Sequence, residues 1–387
     1  MGSGSTRSGP LRLPAAVAVA AGGRDPAVTT QLEPATCDDI ELAVSGSVAH
    51  VSAPAVGADL WGVDELRLAF LLDGTWRPVG VQVRRRSPVM LELRVGDAAT
   101  ARGPDGADTA GGEMAEGERA AAPAAVGPDG EPGIPVTRLR EHRDGAVREG
   151  SVREGTVREG GVSQADVDRV VSQVRRMLSL DCDGAAFAAV AGRDATLDGI
   201  RRAGPGMRPI LFGSPYEAAC WAVVCQGLRT EQAVDMYSRV LARHGRVVPV
   251  GGRSRVVIAS PPELRAVSSA TRLSADKRDR LAIVAEAAES GLLDAAALRG
   301  MDPAEAIDLV AQLPGIGPLS AELIVARGAG HPDVFPAHDR LLLAAMRELY
   351  AHPPAEVAER WRPYRSWASF VIRAAAMLRG GRARASP

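Results

Sequence analysis

Hydrophobic and polar positions change their period once along the chain. Between residues 36 and 95 apolar side chains recur at every second position, as in Ile40, Leu42 and Val44, in Leu66, Leu68 and Phe70, and in Leu91, Leu93 and Val95. Alternation of this kind predicts half-buried strands. Asp73-Gly74 reads as a hairpin turn, because a type I′ turn needs positive φ, and a strand from Trp76 to Val83 is expected after it. From Ser163 onward the period is helical. Val167, Val170, Val171, Val174 and Leu178 share one face, Tyr216 to Cys225 reads as a buried helix, and Thr230 can cap a third helix that Gly245 stops. Further helices are expected over 275–290, 303–312, 319–327, 340–350 and 364–378, with no strand among them. The fold class expected is therefore mostly α, a helical domain over 163–380 preceded by a small β-rich domain over 36–95.

Between these units, from Gly96 to Pro135, the chain is Gly, Ala, Pro, Asp and Glu with almost no large apolar residue. Such a segment cannot bury enough surface to offset the entropy lost on ordering. It continues into a Val-Arg-Glu-Gly repeat at 147–150, 152–155 and 157–160, whose period is too short for a solenoid unit. Residues 96–162 are thus expected to be a low-complexity linker, with 1–35 a disordered start and 381–387 a tail. Arg7 and Arg12 before the Leu13–Ala21 run loosely mimic an export signal, but Pro14 and weak hydrophobicity favour an Ala-rich disordered start.

Composition narrows the chemistry. The 387 residues are 46% hydrophobic and 24% charged, enough for a buried core, with a formal charge of −1. Residues 161–387 carry 29 basic against 24 acidic side chains, which is compatible with a polyanionic partner without demanding one. The four cysteines, Cys37, Cys182, Cys220 and Cys225, form no CxxC pair, which argues against a disulfide scaffold, a zinc finger or a cysteine-held cluster. No apolar run reaches the roughly 18 residues of a membrane span.

One segment stands out. Asp302-Pro303-Ala304-Glu305 carries three helix-start signals, and that helix leads into Leu313-Pro314-Gly315-Ile316-Gly317-Pro318 and at once into another helix. The two glycines leave backbone N–H groups uncovered at a helix N-terminus, where partial positive charge gathers, so the turn suits a phosphate. An ordinary αα-hairpin uses the same residues.

Downstream the chain reads His331-Pro332-Asp333-Val334-Phe335-Pro336-Ala337-His338-Asp339 and then starts a new helix. With Ser214 to Ala218 leading to Gln226, the Leu313–Glu322 hairpin, Asp333–Asp339 and Trp361–Ala368, the stretch from Ser163 to Gly380 resembles the helix-hairpin-helix, Gly/Pro–Asp superfamily of DNA glycosylases. Its nearest likeness there is to DNA-3-methyladenine glycosylase II. The resemblance implies a base-excision repair enzyme that flips a damaged, alkylated base out of double-stranded DNA and hydrolyses its N-glycosidic bond. It implies Asp339 as the catalytic carboxylate, which would stabilise the oxocarbenium-like sugar. As an N-cap for the following helix, Asp339 would also have a purely structural use. DNA contacts are implied at Gly315, Ile316, Gly317, Leu319, Ser320, Gln226, Leu228 and His338. The base pocket falls to Leu319, Leu323, Tyr216, Trp221 and Arg373, although Tyr216 and Trp221 equally fit a helical core.

The resemblance implies no cofactor, no metal bound by side chains, and a monovalent ion held by the backbone at Leu313 and Ile316. It further implies a monomer in the cytoplasm, associated with the nucleoid and not with a membrane. Bifunctional relatives use a lysine in the hairpin's second helix to form a Schiff base; the matching position is Leu319, and the only lysine is Lys277, so a monofunctional enzyme is expected. Relatives place aromatic rings where Leu319, Leu323 and Arg373 stand, and a bulky wedge where Gly227 stands. An arginine there repels a cationic base, which leaves two other readings: a glycosylase for a deaminated, mismatched or bulky lesion, and a DNA-binding protein without catalysis.

Overall fold

The computed structural model describes residues 28–32, 65–87, 90–96, 164–204, 207–265 and 273–385. The expected strand at Ile40–Val44, the export-like run and the linker beyond Gly96 lie outside them. Strands β1 (Val28–Leu32), β2 (Glu65–Leu71), β3 (Pro78–Ser87) and β4 (Met90–Gly96) form an antiparallel sheet in the order β1-β4-β3-β2. The alternation sends Leu66, Leu68, Phe70, Val79, Val81, Val83, Leu93 and Val95 into one core. Two expectations are corrected. A strand, β1, lies within the start expected to be disordered, paired from Val28↔Val95 to Leu32↔Leu91. The β2–β3 turn is longer than a two-residue type I′ turn. Leu72 donates to the Arg77 carbonyl and Trp76 to that of Leu72, which leaves Trp76 in the loop at φ 57° with its ring edge-on to Tyr216.

The helices follow as α1 (Gln164–Met177), α2 (Gly184–Ala191), α3 (Ala195–Ala203), α4 (Pro215–Cys225) and α5 (Thr230–His244). Thr230 is the first residue of α5 and not its cap; Gln232 instead receives the Arg229 amide. The expectation of a strand-free helical region fails next. Arg246–Val250 (β5) and Arg253–Val257 (β6) form a hairpin around Gly251 and Gly252, at φ +53° and +75°. That Gly-Gly pair between valine-rich runs was a readable hairpin signal, masked by the strongly helical flanks. The hairpin lies against the sheet face that carries Gly80. A Cβ on Gly80 would stand 2.7 Å from Val250 Cγ2 and 2.8 Å from the Pro249 carbonyl. Gly80→Val should therefore destabilise the protein by about 1–3 kcal/mol in thermal or urea unfolding, as overpacked interiors do.

The remaining elements are α6 (Pro261–Leu264), α7 (Ala275–Glu289), α8 (Ala295–Gly300), α9 (Pro303–Ala311), α10 (Pro318–Leu323), a π-helical turn (Ile324–Ala329), α11 (Arg340–Leu349), α12 (Pro354–Glu359) and α13 (Arg365–Ala385). The last helix thus runs into the segment expected to be a tail. Sheet and helices share one core through α1. Buried Gln173 donates to the carbonyls of Leu71 and Gly213, and Arg176 reaches Gly213, Gly328 and the Asp73 carboxylate. A second core of Phe187, Leu197, Leu342, Met346, Trp361, Trp367 and Val371 fixes α11 to α13. In it the Phe187 and Trp367 rings stack 4.3 Å apart, and Asp194 takes the Trp361 indole N–H.

Candidate active site

The turn between α9 and α10 is rigid from below and open above. Asp302 caps α9 by accepting the Ala304 amide at 2.8 Å, and Leu313 and Ile316 are buried as anchors. Gly315 takes φ +86°, and a Cβ there would overlap the Arg280 side chain. Gly317 occupies the α10 N-cap without a side-chain hydrogen bond and Pro318 follows, so no side chain covers the first-turn amides of Leu319 and Ser320. Leu319 is 52% exposed, one of two exposed large apolar side chains among the described residues; Leu341 is the other. Of the oxygens named for a backbone-held ion, the Leu313 carbonyl accepts the Ile316 amide at 2.9 Å. A carbonyl oxygen has a second lone pair, so this bond is compatible with an ion.

Gln226 meets the turn directly. Its Nε2 donates to the Gly315 carbonyl at 3.3 Å, and its Oε1 accepts from Arg280 on α7. Lys277, one turn earlier, donates to the carbonyls of Val224 and Gln226 at 2.7 and 2.8 Å. The only lysine is therefore tied to the C-terminal end of α4. Gly227 stands at φ +75° with open space around its missing side chain, and Leu228 beside it is half-buried.

Asp339 sits at the α11 N-cap. Oδ1 accepts the Leu341 and Leu342 amides, each at 3.0 Å, and Oδ2 accepts Arg373 Nε at 2.8 Å. Both readings of this carboxylate, as cap and as an accessible charge, hold together, for its side chain stays 22% exposed. Glu322, only 4% exposed, joins the Asp339 segment to the hairpin: it accepts the Ala337 and His338 amides at 3.2 and 3.1 Å and contacts His338 Nδ1 at 2.7 Å. The His338 ring is thus engaged with Glu322 and not with Asp339.

Arg373 Nη1 also lies 3.2 Å from Met377 Sδ. Arg327, from the π-helical turn, completes the group. It donates to the Ile210 carbonyl and covers the Phe370 ring at 5.3 Å. Burial pushes the Arg327 guanidinium down to about 9; the neighbouring Arg373 charge adds to the shift and Asp339 opposes it.

Two expected pocket residues belong elsewhere. Tyr216 is fully buried and donates its hydroxyl to the Ala259 carbonyl at 2.7 Å. Trp221 is partly buried against the same core, edge-on to Tyr237 at 5.1 Å. Helix α4 buries Tyr216 completely, whereas Trp221 is its partly buried aromatic and packs against the same core. Leu319 and Leu323 stand on the hairpin helix, and Arg373 on Asp339 itself. Glu322, Arg327 and Arg280 were missed. Glu322 had a signal, a lone acid in the apolar run Leu319–Ala326; the two arginines depend on tertiary placement and had none. Among the described residues no cluster of three or more His, Cys, Asp or Glu side chains could hold a metal ion.

The chain leading to Asp339 is fixed by Asp333 and His331. Asp333 receives Arg365 Nε at 2.9 Å and Arg362 Nη1 at 2.6 Å. His331 Nδ1 receives the Asp333 amide at 3.1 Å, so the ring is neutral with its proton on Nε2, toward the Met301 carbonyl. Burial holds this imidazole below its ordinary value of 6.5. The unfolded chain therefore takes up the proton first. The stability His331 contributes is complete above about pH 6.5 and is lost as pH falls toward the folded value. Melting curves should show a decline between pH 7 and 5 that is shallower in His331→Gln.

No family model matches the chain. It is 33% identical over 214 residues to the probable bifunctional transcriptional activator/DNA repair enzyme AlkA of Mycobacterium tuberculosis, across 53% of this chain and 42% of that protein. It thus spans less than half of that relative's length. To the DNA-3-methyladenine glycosylase of Bacillus subtilis it is 23% identical over 220 residues, covering 53% of this chain and 71% of the relative. Among solved structures, the 3-methyladenine DNA-glycosylase from Archaeoglobus fulgidus shares the fold at a TM-score of 0.62 and 15% identity, across 90% of this chain and 98% of its own.

Proposed function

We propose that this chain, a helix-hairpin-helix superfamily member similar to the 3-methyladenine glycosylase II group, is a monofunctional DNA glycosylase of base-excision repair. It takes a damaged base from double-stranded DNA, alkylated bases being the class its relatives' names point to, and leaves an abasic site. The observation that carries this reading is the placement of Asp339, bound through Glu322 to the helix that follows the phosphate-binding turn. DNA phosphate meets the amides around Gly315, Ile316, Gly317, Leu319 and Ser320. The target nucleotide leaves the stack, Gln226 and Leu228 occupy the gap, and Leu319, Leu323 and Arg373 border the extruded base.

As the C1′–N bond lengthens, positive charge grows on the sugar. A carboxylate already held by two amides and one guanidinium needs little reorganisation to stabilise it. The bonding electrons pass to the base nitrogen. Water adds to C1′, and its proton passes to a base that leaves as an anion or to solvent where a cationic base leaves neutral. The holding of Lys277, the only lysine, on the carbonyls of Val224 and Gln226 supports the reading without imine chemistry. The chain acts as a monomer on the nucleoid in the cytoplasm; no helix of the described residues is long and apolar enough to cross a membrane.

The test is a panel of duplexes, each with one damaged base, under single-turnover conditions. Alkali-labile sites should appear on at least one lesion, with no strand nicking before alkali and no borohydride-trapped adduct. Salt-sensitive DNA binding without base release on any lesion would support the non-catalytic reading, to which neutralisation of Asp339 by Arg373 lends some weight.

A further inference from the structure

Two guanidinium groups stand near the Asp339 carboxylate. Arg373 Nε bonds Asp339 Oδ2 at 2.8 Å, and Arg327 is close enough to feel both charges. If Asp339 faces C1′, the Arg373 guanidinium stands about 6 Å from the nitrogen that leaves with the base, two contacts of about 3 Å across the carboxylate. Its Nη1 lies 3.2 Å from the Met377 thioether, a weak acceptor. In the glycosylase reading Leu319 and Leu323 border the base, and neither carries a ring to stack on it.

Resting on the glycosylase reading above, we propose that Arg373, with Arg327 behind it, selects a neutral damaged base bearing acceptor oxygens or nitrogens and discriminates against the formally cationic N-alkylated purines. A neutral base departs with the electron pair of the C1′–N bond and so as an anion. The Arg373 guanidinium stabilises that developing charge until the proton released by the attacking water neutralises it. A base that is already cationic departs neutral, gains nothing from Arg373 and is repelled on entry. At the effective dielectric of a protein site, one unit charge about 6 Å away changes a rate by about a hundredfold. The counter-charge of Asp339 reduces this, and at least about a tenfold effect is expected in each direction.

The experiment measures single-turnover release of hypoxanthine and of 7-methylguanine from otherwise identical duplexes, each relative to its spontaneous loss. Wild type should show the larger enhancement on hypoxanthine. Arg373→Gln, which keeps hydrogen-bond donors without the charge, should slow hypoxanthine release at least tenfold and speed that of 7-methylguanine. Arg373→Lys should keep the wild-type order, and melting temperatures establish that each variant is folded. Equal changes on both substrates in folded Arg373→Gln, or a larger wild-type enhancement on 7-methylguanine, overturn the selectivity while leaving the glycosylase reading intact. If wild type releases neither base nor any other lesion, the glycosylase reading fails and the selectivity falls with it.

Discussion

Asp339→Asn should lower single-turnover base release by about 10²–10³-fold, the scale on which removal of one preorganised electrostatic group acts. The variant should also remain folded. Asparagine is as good an N-cap as aspartate, and its carbonyl oxygen can still receive the Leu341 and Leu342 amides. What disappears is the negative charge and with it the ion pair to Arg373. That pair is partly exposed, 28% and 22% on the two side chains, so its loss should cost no more than about 1 kcal/mol. A large rate loss with little change in melting temperature separates a chemical role for Asp339 from the structural role that its capping geometry also offers. Equal fractional losses of stability and activity would leave only the cap.

Asp333→Ala should act in the opposite proportion, mainly on folding. The Arg365 side chain is 10% exposed, and two of its contacts, Nε and Nη2, end on the Asp333 carboxylate. Removing one partner of a buried ion pair strands the other charge, at about 3–5 kcal/mol. Glu359 still meets Arg365 Nη1 at 2.8 Å, which places the expected loss at the lower end, about 3 kcal/mol. For a unit of this size that corresponds to about 6–12 °C in melting temperature. Activity should fall as well, because the chain from Asp333 to Asp339 would lose the anchor that aims the carboxylate. Differential scanning calorimetry checks the first effect. A shift below about 2 °C would show that Arg365 is adequately held by Glu359 and the residue 333 carbonyl.

The legible parts of this protein are those written in local pattern. The strands from Glu65 to Gly96 follow a period of two, and the cap at Asp302 lies where a short polar residue precedes an apolar helix. The hairpin turn was readable from its glycines and Asp339 as a helix cap, whereas a catalytic role for Asp339 came only from the family resemblance. Tyr216 and Trp221 show the limit of that logic. An aromatic on an apolar helix is compatible with a core or with a pocket, and only its complete burial decides for the core at Tyr216. The β5–β6 hairpin was hidden for a related reason. Short valine-rich runs between helices carry no periodicity long enough to compete, and packing against Gly80 is what stabilises them as strands. Arg327 and Arg280 are beyond local reading altogether. Their roles arise from the π-helical turn and from the approach of α7 to the hairpin, contacts between segments far apart in the chain.

The central claim is that Asp339 faces the sugar of an extruded nucleotide, where it opposes positive charge. The most direct measurement compares binding to two duplexes, one holding a cationic azasugar that imitates the charged sugar and one an uncharged tetrahydrofuran site. Wild type should bind the cationic duplex at least about tenfold more tightly, and Asp339→Asn should bind the two equally. The same preference in both proteins would contradict the claim, because the carboxylate would then not be what the charged sugar meets.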